Sequence, residues 1–138
     1  MKLSAQDFAG AWRISRQITD MRILESGALV GEAQFTAIDG GLRYDEQGML
    51  IFAGGAPVKA ERSYLWHFGP DEVQVTYADG APFHSFALTG GREATPHVCG
   101  EDLYQGTYSF VRFPDWQVTW TVQGPRKNYR SVTHYTPI

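Results

Sequence analysis

Apolar and polar residues alternate along most of the chain with a period of two, and this pattern predicts β-strands. In the first such run, Trp12, Ile14 and Arg16 share one face, and polar residues occupy most of the other. The glycine pairs Gly40-Gly41, Gly54-Gly55 and Gly90-Gly91 predict hairpin turns, because glycine adopts the positive φ that tight turns need. The whole pattern predicts roughly nine or ten short strands, joined as consecutive hairpins.

The first ten residues contain the one predicted helix. Ser4 is a suitable N-cap, and Gly10 ends the helix after little more than one turn. We therefore expect this segment to plug one end of the fold through Phe8, and not to form a layer of its own.

Closure of the sheet is predicted from its edges. A single meandering sheet would expose two unpaired edge strands, whereas a closed barrel removes them. The alternative is a β-sandwich, which usually needs longer crossover connections. The predicted fold is all-β: one antiparallel, up-and-down barrel domain over residues 1–138, with about 8–10 strands and a short N-terminal helix.

Composition narrows the classes of function. The 138 residues carry 12 basic and 15 acidic side chains, a net charge of −3, without a basic cluster. Such a chain is a poor partner for nucleic acid or for an anionic membrane. The N-terminus lacks the apolar core of a secretory signal, and a single cysteine, Cys99, permits no internal disulfide. We expect a cytoplasmic protein; a homodimer is compatible with the sequence, but no patch marks its interface.

Charged residues fall on the aromatic, inward faces of the predicted strands. Arg16, Glu46 and Arg62 are in phase with neighbouring aromatic or aliphatic residues. Buried charges are costly unless they are paired or face a wet cavity, so this pattern predicts an internal small-molecule site. Gly31, Ala33 and Ala37 are expected to leave room on one wall. The candidate ligand-binding residues are Arg16, Tyr44, Glu46, Arg62, Tyr64, Trp66, His84, His97, Cys99, Asp102 and Tyr104.

Two interpretations of the inward charges stay open. Arg16 and Glu46 either form an ion pair that only braces the barrel, or they contact a ligand. Guanidinium groups bind carboxylates and phosphates through paired hydrogen bonds. Two inward arginines, Arg16 and Arg62, therefore favour a small, partly apolar ligand with an anionic or polar group, bound without catalysis.

The stretch from His97 to Tyr104 is the richest in reactive side chains. His97, Cys99 and Asp102, together with His84, are compatible with a metal site, with acid–base catalysis near a thiol, or with a hydrogen-bonded cluster in which Cys99 is a small buried hydrophobe. His134, near the C-terminus, is a candidate haem ligand if it faces inward. The sequence identifies no cofactor, and haem or metal binding remains an alternative.

Two resemblances support a barrel. Gly10-Ala11-Trp12, after a short helix, resembles the Gly-x-Trp signature of the lipocalin and fatty-acid-binding (calycin) barrels. That resemblance implies a tryptophan packed across the barrel bottom and covered by a basic residue, here Arg130 or Lys127.

The second resemblance covers nearly the whole chain. The segments 41–48, 62–66, 79–84, 97–104 and 124–129 are similar to domain-of-unknown-function family 6314, a family of bacterial proteins with some eukaryotic members. The resemblance implies no known activity. Its motif residues coincide with the inward polar residues derived from the alternation.

Overall fold

The structure, a computed structural model, describes residues 2–89 and 93–138. Its elements are α1 (Ala5–Phe8), β1 (Gly10–Asp20), β2 (Glu25–Ile38), β3 (Gly41–Phe52), β4 (Val58–Phe68), β5 (Glu72–Tyr77), β6 (Pro82–Ala87), β7 (His97–Cys99), β8 (Asp102–Ser109), β9 (Trp116–Gln123) and β10 (Asn128–Pro137). All ten strands belong to one antiparallel sheet with the order β6-β5-β4-β3-β2-β1-β10-β9-β8-β7. The predicted antiparallel barrel is confirmed. The β-sandwich alternative is wrong, since the described strands form a single sheet.

The sheet curls into a nearly closed barrel. Strands adjacent in sequence pair as hairpins, and β1 pairs with β10 from Trp12 opposite Pro137 to Asp20 opposite Tyr129. The end strands β6 and β7 meet at a seam without a regular ladder. There the Thr95 amide donates to the Ser85 carbonyl (2.8 Å), and the Ser85 amide donates to Thr95 Oγ1 (2.9 Å).

The alternation of buried and exposed positions follows the predicted phase on the long strands. On β3, for example, Leu42, Tyr44 and Glu46 are all buried. The β2–β3 and β3–β4 turns contain Gly40 and Gly54, with φ of 78° and 71°, as the paired glycines predicted. The predicted turn at Gly90-Gly91 lies outside the described residues. None of the described helices has the length and apolar character needed to span a bilayer.

The N-terminal helix fills one end of the barrel, as predicted. Phe8 is fully buried, and Asp7 Oδ2 accepts a hydrogen bond from the Ser4 amide (2.7 Å), which stabilises the start of the helix. The Phe8 ring lies within 5.4–6.3 Å, centroid to centroid, of the rings of Phe35, Trp66, Phe68, Phe110, Phe113 and Trp116. Aromatic pairs of this kind contribute about 0.5–1.5 kcal/mol each beyond burial. The plugged end is therefore a packed core.

Trp12 also lies at the plugged end, where its indole Nε1 donates to the Phe8 carbonyl (2.7 Å). The predicted basic cover is wrong. Arg130 pairs with Thr19 across β1 and β10, whereas Trp12 pairs with Pro137. Lys127 immediately precedes β10, near the end of that strand that carries Arg130. The register thus places both basic residues towards the opposite end from Trp12.

Candidate functional site

A cavity of about 320 Å³ occupies the part of the barrel away from the helical plug. On β1 it is lined by Arg16 and Ile18, which follow the Trp12 of the plugged end. Its lining residues are Arg16, Ile18, Tyr44, Glu46, Arg62, Tyr64, Trp66, Val75, Tyr77, Phe83, His84, Tyr104, Tyr108, Val118, Trp120, Val122, Tyr129, Ser131, Thr133 and Tyr135. Aromatic walls with a few polar groups are typical of small-molecule sites.

The inner wall of the cavity holds a buried ion pair. Arg16 Nη1 and Nη2 donate to the two carboxylate oxygens of Glu46, at 2.7 and 2.9 Å, and Arg16 Nε donates to Thr133 Oγ1 at 2.7 Å. The Arg16 and Glu46 side chains are 6% and 3% exposed. Each side chain points inward from a different strand, so the barrel wall fixes the distance between them. This bidentate geometry is the strong form of an arginine–carboxylate pair.

Two tyrosines extend this network. The Tyr44 hydroxyl donates to Glu46 Oε1 (2.5 Å), and the hydroxyls of Tyr44 and Tyr135 are 2.8 Å apart. Burial first, and then the nearby Glu46 charge, raise the pKa of Tyr135 to about 12. Both phenols are therefore protonated at neutral pH and act as hydrogen-bonding groups.

The ion pair stays charged despite its burial. Burial alone would raise the pKa of Glu46, but the hydrogen bonds and charge of Arg16, with the charge of Arg62, hold that pKa below its ordinary value. Burial alone would lower the pKa of Arg16, but the contacts with Glu46 raise it overall. Both groups are ionised at pH 7.

Arg62 supplies the positive charge that the network does not neutralise. Its Nε lies 3.4 Å from Glu46 Oε2, an oxygen that Arg16 already occupies, and its side chain is 51% exposed. The ionised side chains lining the cavity are thus two arginines and one glutamate. Within the described part of the chain, the Nη groups of Arg62 have no hydrogen-bond acceptor. They are available to an anionic group.

His84 is the buried titratable group on another wall. Its Nε2 lies 2.7 Å from the Tyr108 hydroxyl, and its Nδ1 has no partner among the described residues. Burial, helped by the charge of His97, lowers the pKa of His84 to about 3. His84 is therefore neutral at pH 7.

A β-bulge shapes the aromatic wall around His84. The register between β5 and β6 shifts at Val75 and Thr76, so that Phe83 and His84 both line the cavity. The Phe83 ring stacks on Trp120, with centroids 5.2 Å apart and an interplanar angle of 19°. Gly106 lies beneath Trp120, where an added Cβ would come within 2.8 Å of the indole. The glycine thus permits the position of this ring in the wall.

The structure brings most of the candidate residues together. Those that line the cavity are Arg16, Tyr44, Glu46, Arg62, Tyr64, Trp66, His84 and Tyr104. His97, Cys99 and Asp102 are not among the lining residues. His97 packs on Phe83 (5.1 Å between centroids), next to the wall.

The reactive stretch does not form one cluster. Cys99 is exposed, so the interpretation of this residue as a small buried hydrophobe is wrong. Asp102 Oδ2 lies 3.4 Å from Lys127 Nζ and forms an ion pair with it. His134 is also exposed, opposite in phase to buried Tyr135. Among the described residues, no group of three histidine, cysteine or carboxylate side chains is placed to hold a metal ion.

The small residues of β2 do not line the internal cavity, contrary to expectation. An added Cβ at Gly31 would come within 2.0 Å of the Gln47 carbonyl, so this glycine allows close approach of β3. Ala33 is buried and Ala37 is exposed, and neither lines the cavity. The space lies instead among the aromatic side chains of the remaining walls.

Several lining residues were missed by the sequence analysis. Phe83 was missed because strict alternation places it opposite to His84, and only a bulge brings both inward. Thr133 and Tyr135 share the phase of Tyr129 on the last strand, a signal that could have identified them. Tyr77 and Trp120 also line the cavity, although they were not among the candidate residues.

Taken together, the fold and the site define an antiparallel β-barrel with an internal cavity that contains charged groups. The chain belongs to a family of unknown function, DUF6314, whose model matches residues 8–137. The resemblance to that family is therefore confirmed. No curated protein matches the chain.

Two solved structures share the fold. An S-type phycobiliprotein lyase, CPES, from Guillardia theta has a TM-score of 0.67 and 9% identity, covering 96% of this chain and 89% of its own. A protein of unknown function from the DUF3598 family of Nostoc punctiforme has a TM-score of 0.62 and 12% identity, covering 97% of this chain. This chain spans 48% of that second protein. At such identities the similarity shows the barrel architecture alone.

Proposed function

We propose that this protein binds a small, partly apolar molecule with an acidic group inside the barrel, and that Arg62 contacts the acid. The observation that carries the proposal is the cavity itself, in which two arginines face one carboxylate. Each guanidinium nitrogen of buried Arg16 already donates to Glu46 or Thr133, whereas both Nη groups of half-exposed Arg62 have no partner among the described residues. A ligand carboxylate at Arg62 would balance the excess positive charge.

Size and surface restrict the ligand further. A volume of about 320 Å³ is near the lower end of the range for ligand pockets, which is about 300–1,000 Å³. Aromatic side chains, among them Tyr64, Phe83 and Trp120, form much of the wall. A flat molecule of about two fused rings would bury its faces against them.

The phycobiliprotein lyase gives limited support. It places this architecture in a protein that, by its name, acts on phycobiliproteins, but the identity of 9% does not carry that activity to this chain. The alternative of acid–base catalysis has weaker support. His84 and His97 both pack against Phe83 (4.4 and 5.1 Å between centroids), but Asp102 is paired with Lys127 and Cys99 is exposed.

Isothermal titration calorimetry with 2-naphthoate and its neutral isostere 2-acetylnaphthalene tests the proposal. Hydrogen bonds to charged groups contribute about 1.5–3 kcal/mol, so 2-naphthoate should bind about 10–100-fold more tightly. Arg62→Gln should abolish that preference. The matched control is Lys59→Gln, which removes a charge from the same strand but at an exposed ion pair with Glu61 (3.0 Å).

Equal binding of both compounds by the unaltered protein would contradict the assignment of Arg62. So would loss of the preference in Lys59→Gln. If neither compound binds, the proposed function is wrong for ligands of this class.

A further inference from the structure

The two tyrosines of the inner wall use their hydroxyl hydrogens within the wall itself. A phenol has one hydrogen, and that of Tyr44 is donated to Glu46 Oε1 at 2.5 Å. The 2.8 Å contact between the Tyr44 and Tyr135 hydroxyls must therefore use the hydrogen of Tyr135. Tyr135 Oη is left with lone pairs and no free hydrogen, so it can only accept a further hydrogen bond.

Thr133 has the opposite character. Its Oγ1 accepts from Arg16 Nε at 2.7 Å, and a guanidinium cannot accept a hydrogen bond in return. In the part of the chain that the structure describes, no acceptor is placed for the Thr133 hydroxyl hydrogen. Thr133 is 4% exposed and lines the cavity, as does Tyr135 two residues along the same face of β10. The wall thus offers a donor at Thr133 and an acceptor at Tyr135, two residues apart on one strand.

We propose that the buried end of the ligand is a neutral group with an acceptor and an N–H donor side by side, such as a lactam or amide. Its carbonyl would accept from Thr133, and its N–H would donate to Tyr135. This inference rests on the proposed function, which places the acid of the same molecule at Arg62. The ligand class is therefore a flat aromatic monoacid with a lactam-like opposite end.

Other end groups fit this wall less well. A hydrocarbon end would leave the Thr133 hydroxyl hydrogen unpaired after water is displaced, which is unfavourable for a buried donor. A second carboxylate would face the lone pairs of Tyr135 and the negative charge of Glu46. The wall thus selects against a diacid and against a purely apolar end.

The test compares three acids by calorimetry: 2-naphthoate, 2-oxo-1,2-dihydroquinoline-6-carboxylate and the N-methyl form of that lactam. We expect the N–H lactam to bind about tenfold more tightly than 2-naphthoate, and the N-methyl form to lose most of that gain. In Tyr135→Phe the ratio of the affinity for the N–H lactam to the affinity for 2-naphthoate should fall severalfold, whatever the change in the affinity for 2-naphthoate itself. The variant keeps the ring that stacks on Trp116, at 3.7 Å between centroids, so the fold should be retained.

The outcomes distinguish a failure of the lactam assignment from a failure of the proposed function. If 2-naphthoate binds but the lactam binds no more tightly, the assignment of the buried end is wrong and the proposed function stands. A lactam preference that survives in Tyr135→Phe also overturns the assignment. If none of the three acids binds, the proposed function fails, and this inference fails with it.

Discussion

Glu46→Gln should strongly destabilise the fold. The substitution removes the negative charge that faces two guanidinium groups, while it changes the shape of the side chain little. Arg16 is 6% exposed in its side chain and cannot turn to water. Loss of one partner from a buried ion pair typically costs about 3–5 kcal/mol. Because glutamine keeps one acceptor oxygen, we expect the free energy of unfolding to fall by about 3 kcal/mol, the lower end of that range. Urea unfolding at pH 7 measures this loss.

The neighbouring residue provides a matched control. Asp45 precedes Glu46 on β3 but points outward, where it pairs with Arg43 at 3.1 Å and its side chain is 45% exposed. Exposed ion pairs contribute about 0–1 kcal/mol. Asp45→Asn should therefore change the free energy of unfolding by less than about 1 kcal/mol.

The double variant Arg16→Met with Glu46→Gln decides whether the unpaired charge is the cause. Removing both charges should restore part of the stability lost in Glu46→Gln, because no uncompensated guanidinium remains buried. If Glu46→Gln unfolds within about 1 kcal/mol of the unaltered protein, the pair is solvated and the reasoning is refuted. A double variant less stable than Glu46→Gln would also contradict it.

Three further predictions concern other parts of the structure. The pKa of His84 falls from 6.5 to about 3 on folding, so the unfolded state binds the additional proton as the pH drops below 6.5. The free energy of unfolding should decrease by about 2 kcal/mol from pH 7 to pH 5, and His84→Gln should remove that decrease; a decrease of equal size in the variant would exclude His84 as its source. Gly106→Ala should push the Trp120 ring into the cavity and weaken binding of 2-naphthoate in calorimetry, and unchanged affinity would show that the ring can move elsewhere. Cys99 is exposed and should react with a thiol reagent in the native protein at the rate of a free thiol; protection until unfolding would contradict its placement.

Much of the barrel could be predicted because its strands are long and apolar residues recur at most of their inward positions. On β1, β3 and β4 a slip of one residue would place tryptophans and tyrosines in water, so the phase was well determined. That phase correctly placed Arg16, Glu46 and Arg62 at the cavity. Two of the five segments that carry the family resemblance, 41–48 and 62–66, lie on β3 and β4.

The rest depended on features without a local signal. The bulge that brings Phe83 inward arises from the pairing of β5 with β6, which the alternation of one strand does not encode. The hydrogen bond between Tyr44 and Tyr135 joins residues 91 positions apart. β7 has three residues, too few for alternation to establish which side chains face inward, and the prediction for Cys99 failed there.

The crystal structure of the protein with bound 2-naphthoate tests the central claim most directly. We expect the naphthalene rings inside the barrel, against its aromatic wall, with a carboxylate oxygen within about 3 Å of an Arg62 Nη atom. The ion pair between Arg16 and Glu46 should remain intact. A ligand bound on the outside of the barrel, or a carboxylate that displaces Glu46 from Arg16 and leaves Arg62 free, would contradict the proposed function.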